Sequence, residues 1–191
     1  MIYPIRIWDV KMRTCMQTLK TYIVSKMAFT PDGRKLAFCM QKPVGEGYEI
    51  VFWDIASART GPILQGPSKE IAWMWFSKDG KQLIAATRRH GVQVWDWAAG
   101  RLLYTLPIHE RGAQTGVVDY LAFSPERNWL VEGLEFSPED RIIAIWSVDK
   151  REKILEWNRP FSGLALSPDG RWLAIKKGLE FGVWEVVPKA K

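Results

Sequence analysis

The sequence is poor in the features on which small secreted proteins and membrane proteins depend. Its 191 residues include two cysteines, Cys15 and Cys39, too few for a disulfide framework and read most simply as unpaired thiols in a reducing compartment. Charged residues interrupt every apolar stretch well before the ~20 consecutive apolar residues of a membrane-spanning helix. The first six residues, Met1–Arg6, show no basic segment leading into an apolar run, so no secretory signal is read there. A cytoplasmic protein with no membrane partner is the expectation. Histidine is as scarce as cysteine: His90 and His109 have no further ligands at metal-binding spacing, and neither metal nor cofactor is expected. Phosphate loops, Gly-x-Gly-x-x-Gly turns, Gly-x-Ser-x-Gly elbows and Cys-x-x-Cys pairs are all missing. The chain is therefore not expected to be an enzyme.

Tryptophan, by contrast, is abundant, with 11 residues. Five occupy matching contexts: Ile7-Trp8-Asp9-Val10, Phe52-Trp53-Asp54-Ile55, Val94-Trp95-Asp96-Trp97, Ile145-Trp146-Ser147-Val148 and Val183-Trp184-Glu185-Val186. They recur 45, 42, 51 and 38 residues apart. A second motif alternates with them: Phe29-Thr30-Pro31-Asp32-Gly33, Phe76-Ser77-Lys78-Asp79-Gly80, Phe123-Ser124-Pro125-Glu126-Arg127 and Leu166-Ser167-Pro168-Asp169-Gly170. A period in this range, built from β-branched and aromatic alternation with almost no helical periodicity, predicts an all-β array of propeller blades. Each blade would hold four short antiparallel strands, a to d. The Pro-Asp-Gly elements make the a–b turns, and strand c ends on the Trp-Asp pair.

On these residues the chain resembles the WD40-repeat family over Ile5 to Val187, which implies a β-propeller and a role in binding other proteins. Family members usually add a Gly-His pair before strand a, a Ser or Thr on strand b and an Asp six residues before the Trp. Here no Gly-His pair exists, and Gly47, Arg89, Asp140 and Gly178 stand six before the Trp. Only Asp140 fits, so the blades are expected to rely on apolar packing. The divisions expected are 1–23 for strands c and d of an incomplete first blade, 24–66, 67–108 and 109–158 for full blades, and 159–191 for strands a, b and c of the last. About four repeats are short for the family's usual seven or eight blades. The expectation is the C-terminal portion of a longer propeller or a half-ring completed to eight blades by a homodimer, with a compact four-bladed monomer as the third form.

Loop lengths sort by face. The spacing from turn motif to strand-b leucine is 7 in all four repeats, and from Trp to its strand-d residue 11 wherever one exists. By contrast, strand-b leucine to Trp varies as 17, 12, 16 and 11, and strand d to strand a as 5, 7, 12 and 4. All the variation falls on the b–c and d–a connections, which points to that face for binding. Its candidates are Tyr48, Arg88, Arg89, His90, His109 and Arg111, with Lys26, Trp73 and Tyr120 (and Gly163) each three residues before a strand-a anchor. Packing of Trp73 and Tyr120 between blades is the competing reading. Charges of both signs share this face, unlike the one-sign stripe that tracks phosphates, although the chain carries +6. Other proteins or peptides are thus the expected partners, bound by a non-catalytic scaffold. The alternatives are small-ligand binding or catalysis in a central channel, and weak nucleic-acid binding.

Overall fold

The computed structural model describes residues 3–42, 47–66, 70–87, 91–106, 108, 110–111, 114–115, 117–137 and 140–187. Among them there is no helix, hence none long and apolar enough to cross a membrane. The strands run in chain order as β1 (Tyr3–Asp9), β2 (Thr14–Thr21), β3 (Val24–Phe29), β4 (Lys35–Gln41), β5 (Tyr48–Asp54), β6 (Arg59–Gln65), β7 (Trp73–Phe76), β8 (Gln82–Ala86), β9 (Val92–Asp96) and β10 (Arg101–Leu106). They continue as β11 (Glu110–Arg111), β12 (Gln114–Thr115), β13 (Val117–Ser124), β14 (Trp129–Glu135), β15 (Arg141–Ser147), β16 (Glu152–Asn158), β17 (Gly163–Leu166), β18 (Trp172–Lys177) and β19 (Glu180–Glu185). Three sheets hold four antiparallel strands in chain order: β3–β6, β7–β10 and β13–β16. They are flanked by the pair β1–β2 and the three-stranded β17–β19. A further short ladder, β11–β12, sits within the connection from β10 to β13.

The pleat explains the stacking. Successive side chains of a strand point to opposite faces, so a strand buried on both faces carries two apolar stripes. Along β4, Leu36 and Phe38 join Ile5, Ile7 and Leu19 of the first sheet, while Ala37 and Cys39 join Ile71, Met74 and Phe76 of the following one. Leu83 and Ala85 of β8 look back in the same way and Ile84 and Ala86 look forward. In β15, Ile142 and Ala144 look back and Ile143 and Ile145 forward. Four apolar cores thus lie between sheets, not within them, and each sheet is held by its neighbours.

The repeated motifs take up repeated geometry. In every complete sheet the strand-b leucine lies opposite the strand-c tryptophan: Leu36 faces Trp53, Leu83 faces Trp95 and Leu130 faces Trp146. The acidic or hydroxyl residue after the Trp closes the next turn, for Asp9, Asp54 and Asp96 accept the backbone N–H of Met12, Ser57 and Ala99, and the Ser147 hydroxyl accepts that of Lys150. The same turn needs one left-handed residue, supplied by Arg13, Ala58, Gly100 and Arg151.

Candidate interaction face

The two ends of the sheets differ in how they are tied. At one end the a–b and c–d turns bond to each other: the Ile55 N–H to the Arg34 carbonyl at 3.0 Å, Val148 N–H to Asn128 at 2.9 Å and the Trp97 indole N–H to Gly80 at 2.7 Å. Neighbouring sheets are also joined there. Lys78 pairs with Glu126 at 2.5 Å, the Ser124 hydroxyl donates to the Pro168 carbonyl and the Arg127 Nε to that of Asp169. Turns of fixed length interlocked from sheet to sheet have little freedom to vary.

The opposite end carries the b–c and d–a connections, where chain length does vary. The positions three before each strand-a anchor keep one register: Lys26, Trp73, Tyr120 and Gly163 lie opposite Cys39, Ala86, Gly133 and Lys176 of the adjacent strand. Their surroundings differ. Lys26 is exposed. Trp73 is half-buried and packed against the core shared with β13–β16. Tyr120 is half-buried as well, edge-on to Phe161 at 5.9 Å, and its hydroxyl donates to the Ser162 carbonyl at 2.5 Å. The two aromatics therefore pack between blades and offer only part of each ring to a partner.

Tyr48 opens β5 half-buried, its phenol held above its ordinary value by burial and secondarily by Glu70. Behind it the Cys39 thiol is fully buried and pushed up by desolvation, so it is a packing residue without thiolate chemistry. Arg111 has its backbone in β11, paired with Gln114. Arg88, Arg89, His90 and His109 lie outside the described residues. Among the described residues no three His, Cys, Asp or Glu side chains are placed to hold a metal ion.

One cluster at this end escaped sequence reasoning. Arg141 forms an ion pair with Glu135 at 2.8 Å across the base of the β14–β15 connection, donates to the Phe161 carbonyl at 2.6 Å and lies over the Phe161 ring at 5.7 Å. With Tyr120 and Ser162 it makes a polar and aromatic seam between two sheets. Its only signal was the opposed charges at the two ends of one connection. A second unforeseen contact is inside: buried Glu132 accepts the Trp146 indole N–H at 2.6 Å. In the repeat that carries Asp140, a strand-b carboxylate holds the Trp in a role for which the family uses a Ser or Thr.

No protein-family model matches the chain. It is 27% identical over 201 aligned positions to the eukaryotic translation initiation factor 3 subunit I of Lodderomyces elongisporus, covering 92% of this chain and 54% of that protein. It is also 26% identical over 135 positions to the small ribosomal subunit protein RACK1 of Caenorhabditis elegans, covering 70% of this chain and 37% of that one. Both relatives are WD40 β-propeller proteins, and the four-stranded antiparallel sheets of this chain are consistent with such blades. The fold is that of WD40-like β-propeller blades. This chain spans about half the length of the first relative and little more than a third of the second. Its blades depart from the family in their polar ties. Trp53 donates across sheets to the Gln17 side chain at 2.8 Å, Trp146 donates to Glu132 within its sheet, and Trp97 stacks on Phe52 at 4.7 Å, so each tryptophan is held by its own set of contacts, polar in some blades and apolar in others.

Proposed function

We propose that this WD40 chain is a non-catalytic scaffold that captures protein partners on the face bearing its b–c and d–a connections. One observation carries the reading: every change in loop length falls on that face, while the opposite turns are fixed in length and bonded to one another. Variation confined to one side of a rigid repeat is the expected mark of a binding surface. The half-buried rings of Trp73 and Tyr120 and the Arg141–Glu135 seam supply the anchoring chemistry such a surface uses, since aromatic and Arg side chains dominate interface energetics. Both relatives belong by name to the translation apparatus, so proteins of that apparatus, and a cytoplasmic location, are the first to test.

The test is replacement of residues 107–116 by a short Gly-Ser linker, with retention of an interacting protein measured by pull-down and folding by circular dichroism. Loss of capture with unchanged folding is expected. Full-strength capture by the shortened protein overturns the choice of face. Completion of an eight-bladed ring by a second copy is a separate reading of the incomplete first and last sheets. Joining β1–β2 of one copy to β17–β19 of another would give that blade five strands, one more than the complete sheets hold.

A further inference from the structure

Neighbouring sheets meet at their a–b turns, and two of these joints are closed by tight contact. An added Cβ on Gly80 would lie 3.3 Å from Pro31 Cδ, and one on Gly170 2.8 Å from Arg127 Cδ, where the Ser124 hydroxyl and the Arg127 Nε also donate to the Pro168 and Asp169 carbonyls. The joint between β7–β10 and β13–β16 differs by one residue. Arg127 stands where the other turns carry Gly33, Gly80 and Gly170, and its side chain reaches onward to Asp169 and over the Trp129 ring at 4.7 Å. Behind it a cleft of about 470 Å³ remains, lined by Asp79, Gln82, Glu126, Arg127, Asn128 and Asp149 and bridged by the Lys78–Glu126 pair.

This cleft holds acceptors without donors. Gln82 Oε1 and Asn128 Oδ1 are both buried, and among the described residues neither has a hydrogen-bond partner. The orientation of the Asn128 amide is set by its other end, since Nδ2 donates to the Asp149 carboxylate at 2.5 Å and a carboxylate only accepts. A buried acceptor left unpaired costs free energy, so a donor is the chemistry both positions lack. The cations nearby are committed elsewhere: Lys78 to Glu126, Arg127 to Asp169, and Arg151 over the Tyr104 ring at 3.9 Å. Lys81 comes only to 3.9 Å from the Asp79 carboxylate.

We propose that this cleft binds the guanidinium group of an arginine side chain presented by a partner polypeptide. A guanidinium carries five N–H donors in one plane, enough to serve the Gln82 and Asn128 oxygens together with a carboxylate. Its charge meets the Asp79 and Asp149 carboxylates, which outnumber the uncommitted cations around them. An ammonium, with three donors on a single point charge, matches spread-out acceptors less well. At the mouth Lys78, Asp79, Glu126, Arg127 and Asp149 are exposed, so the cleft can hold a side chain reaching in from a larger molecule but cannot enclose a free small ligand, which needs most of its surface buried. The site lies at the end opposite the b–c and d–a connections, among turns bonded to one another, and is therefore independent of the variable loops.

The probe is the peptide acetyl-Gly-Arg-Gly-amide, titrated into nitrogen-labelled protein while the side-chain amide resonances of Asn128 and Gln82 are followed by NMR. Saturable shifts of both are expected, with dissociation at roughly 1 mM. The matching lysine peptide should bind roughly fivefold more weakly, and the citrulline peptide, which keeps the shape and loses the charge, should give no response. Gln82→Leu, read at Asn128, should weaken binding roughly tenfold, the loss expected for a hydrogen bond to a charged group, without lowering the melting temperature, because the oxygen removed was unpaired. Gln93→Leu removes another buried unpaired oxygen outside the cleft and should leave binding unchanged. No saturable shift up to about 10 mM peptide, an equal response to the lysine or citrulline peptide, or equal weakening by the two Leu variants overturns the proposal. So does free arginine binding as tightly as the peptide, which would give the cleft to a small guanidinium compound.

Discussion

Trp8 and Trp95 occupy the same position of the same motif, yet Trp95 is buried in the core between two sheets and Trp8 is mostly in solvent. Each strand-c tryptophan of the later sheets packs toward the preceding sheet, as Trp53, Trp146 and Trp184 do. Among the described residues nothing precedes β1 on that side. The two residues should therefore differ sharply on truncation. Trp95→Ala should cost about 3 kcal/mol or more of unfolding free energy, the usual loss for a large core aromatic, while Trp8→Ala should cost about 0.5 kcal/mol or less. Urea denaturation of the two variants checks both, and equal losses would contradict the packing described. The motif was legible in the sequence, but the burial was not, because burial depends on whether a neighbouring sheet is present.

At the scale of the turn, one element recurs in three a–b connections. The Asp32 carboxylate accepts the Thr30 hydroxyl and the Arg34 N–H, Asp79 accepts the Lys81 N–H and the Ser77 hydroxyl, and Asp169 accepts the Ser167 hydroxyl and the Arg171 N–H. These bonds favour the charged form and hold all three carboxyls below their ordinary value. Asp54 is lowered too, first by Lys35 at 2.6 Å. A carboxyl whose folded value lies below its unfolded one contributes stability above the unfolded value and loses it as the pH falls toward the folded one. Unfolding free energy should therefore be flat in this respect from pH 7 to about 5 and decline below about pH 4. In a protein carrying Asp32→Asn, Asp79→Asn and Asp169→Asn together, the decline should be shallower. A slope unchanged by the three substitutions, measured by denaturant titration across that range, would show that these turns do not set the acid limb. The Ser/Thr-x-Asp-Gly pattern made the turns readable in advance. The third complete sheet, with Pro125-Glu126-Arg127-Asn128, instead turns through a left-handed Asn128 that the motif gave no reason to expect.

Among the described residues, the five stacked sheets other than the short β11–β12 ladder are joined by four cores, none of which spans all five. Each sheet then depends on its immediate neighbours, as in other repeat proteins. The first and last sheets have one covered face, and the last exposes Trp172, Phe181 and Val183. Because joining β1–β2 to β17–β19 of a second copy would put five strands in one sheet, this 22.0 kDa chain should sediment as a single copy. A stable species of twice that mass would revive the shared eight-bladed ring. The candidate face was legible only in outline. Loop spacing pointed to the b–c and d–a end, but the Arg141–Glu135–Phe161 seam joins residues from separate repeats, and no local pattern reports a contact between repeats.

The sequence by itself determined the repeat: the alternation of apolar residues, the turn chemistry and the Trp-Asp punctuation are local, and local physics suffices to make four-stranded sheets from them. Only the tertiary structure decided what those sheets bury. Whether Met27, Phe29 and Trp8 are core or surface, and whether Glu132 or Asp140 holds Trp146, depends on which sheet lies alongside. That is set by packing between elements distant in the chain, where a residue's neighbours are no longer its sequence neighbours.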